Sequence, residues 1–292
     1  MKTNNKSFIP SSLPHDRKVQ FMDIMKHRYM LLILCGIMIF IGFLPVIFAY
    51  GVTVYISNAS VFSKIVESYT TDANQQAFIY FWTVNVSYAT MIPLLMLGFV
   101  VLTGGLRIYR LLSWGEGVFF FHDFFRGIKA NFKTGLLLGL FLGIFLFIIK
   151  FIGGALSLYL NGNLGIGIEL FLKGVLFIFV LPIAICLLIL TTYFDDGFFK
   201  SIKNSFYLYA NKPFFFIPCS LILLVIYLFP FISNYYLILL SIAIVMLFIF
   251  PIYILLCNQL ALSIIDKTVE TEGAKLKGLY DPEIYKETDE DL

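Results

Sequence analysis

Charged side chains are scarce in this sequence. Asp, Glu, Lys and Arg make up 13% of its 292 residues, about half the share of an ordinary soluble domain. That scarcity excludes a water-soluble fold, because a body of this size exposes too much surface to hide so little polarity. Cysteine is sparse as well: Cys35, Cys186, Cys219 and Cys257 stand singly inside apolar runs. No C-x-x-C pair or mixed Cys/His spacing occurs, so neither a disulfide frame nor a zinc site is expected. The three histidines, His15, His27 and His122, form no H-E-x-x-H pattern. No glycine-rich loop follows a strand, which argues against nucleotide hydrolysis. No nucleophile–base pair is evident, so no catalytic residue, cofactor or metal is expected, and nothing points to nucleic acid as a partner.

What the chain does have is apolar length. Hydrophobic residues make up 60% of it. A helix needs about 20 apolar residues to cross a bilayer, and six stretches qualify: 29–56, 77–102, 134–160, 168–193, 213–232 and 235–265. Helix is the only conformation that pairs every backbone group inside one such segment. The expected fold is therefore all-α: a polytopic membrane protein whose six transmembrane helices form three hairpins. The first stretch is too long for a cleavable signal and lacks a small-residue cleavage site. The lipid bilayer is the expected partner.

Cations decide the expected orientation. Segments 1–28, 103–133, 194–212 and the tail hold eighteen Lys and Arg residues, whereas the alternate loops hold only Lys64. Both termini are expected in the cytoplasm. Three regions follow: a cytoplasmic tail with an interfacial helix (1–28), a six-helix membrane domain (29–265) and an acidic cytoplasmic tail (266–292). The last carries nine acids against four lysines.

Two basic segments match each other. Phe124-Phe125-Arg126-Gly127-Ile128-Lys129 through Phe132 aligns with Phe198-Phe199-Lys200-Ser201-Ile202-Lys203 through Phe206, and a fainter copy lies at Phe21 to Tyr29. Phe121, Phe124, Phe125, Ile128 and Phe132 share one helical face, with Arg126, Lys129 and Lys133 on the other. Such short amphipathic helices belong in the cytoplasmic interface, cations toward headgroups or a partner. Arg126, Lys129, Lys133, Lys200 and Lys203 are thus the candidate lipid- or partner-binding face. Pro93, Pro182 and Pro251 each interrupt an even-numbered stretch, where a proline frees a backbone carbonyl. Together these features suggest an internal parallel repeat of interfacial helix plus hairpin.

Polar residues inside the stretches are the remaining candidates. Lys150, Glu169 and Lys173 form the sharpest group, with Glu169 and Lys173 at i, i+4. They could make a polar site in the outer half of the membrane. Alternatively they snorkel to the outer interface, which the surplus length of the fourth stretch favours. Asn85 and Tyr88, with Thr83, Ser87, Thr90, Tyr50 and Thr53, could line a sugar cavity or bond between helices. Gly135, Gly139 and Gly143 recur every four residues and suit close helix packing, within the chain or in a homo-oligomer. Asp195-Asp196 is expected to cap the helix starting near Phe198.

The run Trp114-Gly115-Glu116-Gly117-Val118-Phe119 into Asp123-Phe124-Phe125-Arg126 and Asn131-Phe132-Lys133, with Phe43-Leu44-Pro45-Val46 and the segment 201–213, resembles the YesL-like family of bacterial membrane proteins. The similarity spans about residues 20–270. It implies a protein of the bacterial inner membrane, associated with carbohydrate uptake and polysaccharide utilisation, with no established activity and no site residues to carry over. The expectation is a non-enzymatic accessory or scaffold subunit, possible partners being transporter subunits. A permease is the alternative, and a membrane enzyme acting on lipid or glycan is weaker. The Glu-Ala-Ala coupling motif of ATP-driven importers is absent from 103–133 and 194–212.

Overall fold

A computed structural model describes residues 17–56, 62, 72–160, 162–194, 198–211, 213–214, 216–217, 240–241 and 244–268. Nearly all of the expected fifth span lies outside these residues. So do the first part of the sixth, the tails 1–16 and 269–292, Asp195-Asp196, Cys219 and His15.

The described elements are all helical. They are α1 (Arg17–His27), α2 (Tyr29–Ile56), α3 (Ala73–Ser113), α4 (Phe120–Tyr159), α5 (Gly162–Val175), a π turn (Leu176–Val180), α6 (Leu181–Tyr193), α7 (Phe198–Asn211), a second π turn (Val245–Ile249) and α8 (Phe250–Thr268). Five segments are long and apolar enough to cross a membrane: α2, α3, α4, Asn163–Tyr193 and Leu247–Ile264. Of these, Asn163–Tyr193 is the most enclosed, with 61% of its apolar window buried against 22% for α2.

Two boundaries differ from the hydropathy reading. The second span was expected to end at 102, but α3 continues to Ser113. At 41 residues it is about 60 Å long, twice the hydrocarbon thickness. Arg107 and Arg110 depress the hydropathy there, yet the segment is buried against other helices and Arg110 is only 2% exposed. The expected interfacial helix before the third span is likewise not separate. It is the first part of α4, joined to the span through a break at Asn131 (φ −116°, ψ 19°). Only a turn at 114–119, with Gly115 at φ 69°, separates α3 from α4.

Glycines set the spacing of α3 and α4. A Cβ on Gly135 would lie 2.9 Å from Val100 Cα, one on Gly139 2.6 Å from Met96 Cα, and one on Gly143 3.1 Å from Ile92 Cα. Further along, Gly154 faces the ring of Phe81 at 3.1 Å. Each step forward in α4 is matched by an equal step back in α3, so one antiparallel register holds from Val100/Gly135 to Phe81/Gly154. This places the glycine stripe within the chain, where van der Waals approach of two backbones drives association. The α2–α3 contact uses the same device, with Gly42 against Val101 and Gly98 against the Phe43 ring.

Pro182 and Pro251 each follow a π turn. A proline ring clashes with the carbonyl four residues back and supplies no N–H to it, and the wider π turn relieves that clash. For Pro182 the carbonyl left over belongs to Ile178, and the Tyr209 hydroxyl of α7 donates to it at 2.8 Å. Pro93, by contrast, sits inside an uninterrupted α3.

Candidate functional site

The α4–α5 hairpin brings Lys150, Glu169 and Lys173 together. Lys150 Nζ lies 2.5 Å and Lys173 Nζ 2.6 Å from the same oxygen, Glu169 Oε1. All three side chains are at most one-quarter exposed. Tyr88 of α3 joins them, its ring centroid 5.5 Å from Lys150 Nζ, a cation–π distance. Gly153 provides the room, since a Cβ there would meet Glu169 Cβ at 2.9 Å. Lys150 stands nine residues before the end of α4, about 13 Å along the helix. The ammoniums thus meet a shared carboxylate between helices, and a charge held in low dielectric needs such a partner.

The other polar candidates serve their own helices. Thr53, Thr83, Ser87 and Thr90 donate to Ala49 O, Ile79 O, Thr83 O and Ser87 O at 2.7–2.9 Å. Asn85 is buried and donates to Phe81 O at 2.7 Å, while its Oδ1 has no partner among the described residues. These bonds are neither interhelical nor directed at a cavity.

On the basic segments the structure divides the aromatic face expected from the sequence. Phe124 and Ile128 turn inward, packing on Gly104 of α3. Phe121, Phe125 and Phe132 point outward, 63%, 58% and 46% exposed, beside the exposed cations Arg126, Lys129 and Lys133. Gly127 and Asn131 are also buried, so the inward arc includes small and polar residues that spacing alone does not mark as core. Asp123 is buried too, accepting from the Phe119 N–H at 2.9 Å and lying 3.9 Å from Arg107. In α7, Ser201, Ser205, Leu208 and Tyr209 face inward, while Phe199, Lys200, Lys203, Phe206 and Tyr207 are exposed. His27 and His122 rest 3.7 Å and 3.6 Å from Asp23 and Asp123. Cys35, Cys186 and Cys257 are buried. No metal-type cluster occurs among the described residues.

One constellation was missed by the sequence reading. At the basic end, Ser113 Oγ accepts from Asn258 Nδ2 at 2.8 Å and from Gln259 Nε2 at 2.9 Å. Asn258 Nδ2 also reaches the Tyr193 hydroxyl at 3.1 Å. The Ser113 carbonyl accepts from Gln20 Nε2, and Arg17 lies over Trp114 at 5.9 Å. Arg110 Nη1 donates to Thr192 O at 2.9 Å, and Arg28 Nη1 to Glu116 O at 3.0 Å. Donors thereby meet carbonyls at the ends of α3 and α6, where helices leave acceptors unpaired. Glu116, in the turn, has its carboxyl pushed above the usual range by burial, with Arg110 and Arg107 opposing the shift. The cluster joins α1, α3, α6 and α8. The only sequence signal for it was three polar residues inside otherwise apolar segments.

No family model, no curated protein and no solved structure matches this chain.

Proposed function

We propose that this is a protein of the bacterial inner membrane, both termini cytoplasmic, acting as a non-enzymatic accessory or scaffold subunit beside a carbohydrate uptake or utilisation system. The carbohydrate association rests on the resemblance to the YesL-like family. The observation that carries the scaffold reading is the internal use of the membrane-embedded polar groups. Lys150 and Lys173 close on Glu169, and Thr53, Thr83, Ser87 and Thr90 bond their own helices. Helix α7 presents Lys200 and Lys203 with Phe199 and Tyr207 to its surroundings, a surface able to receive an acidic partner.

Cross-linking in the native host, purification in mild detergent and mass spectrometry test this reading. Transporter components recovered at stoichiometric levels, and lost on Lys203→Glu, support it. Recovery of the protein alone as a discrete particle overturns it. That result would favour the second reading, a small-molecule permease, for which the ion triad about 13 Å inside the hairpin is the specific observation. Liposome uptake abolished by Glu169→Gln would then be the expected outcome.

A further inference from the structure

We infer that the break at Asn131 builds a seat for the phosphate headgroup of an anionic phospholipid, held by Lys129, Lys133 and Thr134 with Phe132 at its acyl side. The inference does not depend on the accessory reading above.

The geometry begins with the backbone. Asn131 leaves helical dihedrals (φ −116°, ψ 19°) while α4 continues on both sides, and a groove opens at this point. Lys129, Ala130, Phe132, Lys133 and Thr134 line it. Two lysines and a threonine therefore line one opening. Lys129 and Lys133 are four residues apart, a spacing at which like charges repel. An anion between them removes that repulsion.

Charge on this face has one sign. Arg126, Lys129 and Lys133 are exposed, and the single carboxylate of the segment 120–134, Asp123, is turned inward toward the Phe119 N–H and Arg107. The aromatic stripe selects lipid over a free anion. Phe121, Phe125 and Phe132 lie outward along the arc next to the cations, and three exposed phenylalanines belong in acyl chains. Rings in the hydrocarbon edge fix the neighbouring ammoniums at phosphate depth, at the mouth of the groove.

The test uses the full chain in nanodiscs of phosphatidylcholine containing phosphatidylglycerol at one part in ten. Native mass spectrometry then counts the lipids retained after release. The wild type is expected to keep phosphatidylglycerol in preference to phosphatidylcholine. Lys129→Gln with Lys133→Gln should lower that retention about thirtyfold, from the contribution each cation makes near a membrane surface. Thr134→Val and Phe132→Ala leave the charge unchanged, and each should still lower retention severalfold. Lys26→Gln, at an exposed cation of α1, should leave it unchanged. Each variant is first checked for an unaltered thermal midpoint, and Lys129→Arg should rescue retention where the glutamine variant loses it. Retention indifferent to Thr134→Val and Phe132→Ala, or lost equally on Lys26→Gln, would overturn the seat in favour of diffuse surface charge. Displacement of phosphatidylglycerol by millimolar inorganic phosphate would overturn the assignment to lipid.

Discussion

Gly139 is the closest point of approach between the backbones of α3 and α4, and replacing it with alanine isolates what that approach contributes. The added Cβ would lie 2.6 Å from Met96 Cα and 2.9 Å from both Met96 N and Leu95 O. All three are backbone atoms, so no side chain can swing aside. Carbon atoms rest at about 3.5–4.0 Å, and the helices must part by roughly 1 Å to admit the methyl. Overpacking of this kind costs about 1–3 kcal/mol, while alanine returns about 1 kcal/mol of helix propensity. The expected net loss is up to about 2 kcal/mol. At Gly143 the nearest atom is 3.1 Å away, so a shift of a few tenths suffices and the two terms nearly cancel. Gly167 has nothing within 4 Å, and Gly167→Ala should report propensity alone, stabilising by up to about 1 kcal/mol. Reversible unfolding in mixed micelles by SDS titration ranks the three variants. If Gly139→Ala proves as stable as Gly167→Ala, the helices do not meet in this register and the packing argument fails.

Three further outcomes follow from the same structure. Tyr209→Phe removes the donor to Ile178 O and should destabilise by about 0.6–1.7 kcal/mol, the range for hydrogen bonds inside membrane proteins. Its effect should shrink in a Pro182→Ala background, where an N–H is restored, and a double-mutant cycle that shows no coupling would contradict the assignment. Glu169→Gln leaves two ammoniums facing each other and should destabilise by about 3 kcal/mol, as when one partner of a buried ion pair is removed; an unchanged unfolding midpoint would show that the triad does not clamp α4 to α5. Glu116 binds its proton more tightly folded than unfolded, because burial raises its carboxyl. Its contribution to stability therefore falls as pH rises from the ordinary carboxylate value through the raised one, and is lowest at neutral pH. Glu116→Gln should be the more stable form at pH 7, and the two proteins should converge below the ordinary carboxylate range. A constant offset across thermal scans from pH 4 to 7.5 would contradict this.

Much of the architecture could be read from composition and spacing because lipid imposes simple rules. Five of the expected spans overlap helices long and apolar enough to cross a bilayer, since each must satisfy its own backbone. The glycine stripe on α4 and the carbonyl freed by Pro182 were anticipated on the same physical grounds. The pairing of Lys150 with Glu169 was visible as an option, although spacing could not separate a clamp from snorkelling. The length of α3 was not legible: hydropathy treats Arg107 and Arg110 as loop residues, whereas Arg110 is buried because it can donate to Thr192 O. The cluster around Ser113 was hidden for another reason. Its members, Gln20, Ser113, Tyr193 and the pair Asn258-Gln259, come from four different helices, and only tertiary packing makes them neighbours. The outward aromatic stripe of α4 was misjudged because half of its inward arc consists of Gly127, Asn131 and Asp123 rather than large apolar groups.

The unbroken register between α3 and α4 also bears on how such a chain can change length over time. Between Phe81 and Val100 on one helix, and Gly135 and Gly154 on the other, the four glycine contacts share the same offset. Losing or gaining one residue in either helix would rotate all later side chains by about 100°. Every glycine beyond that point would then face a bulky neighbour at once. Length changes here are tolerable only when a matching one occurs in the partner helix, or when a whole turn and its small residue are exchanged together. Descendants of this chain should therefore vary freely in the tails while the two helices keep their residue count in step.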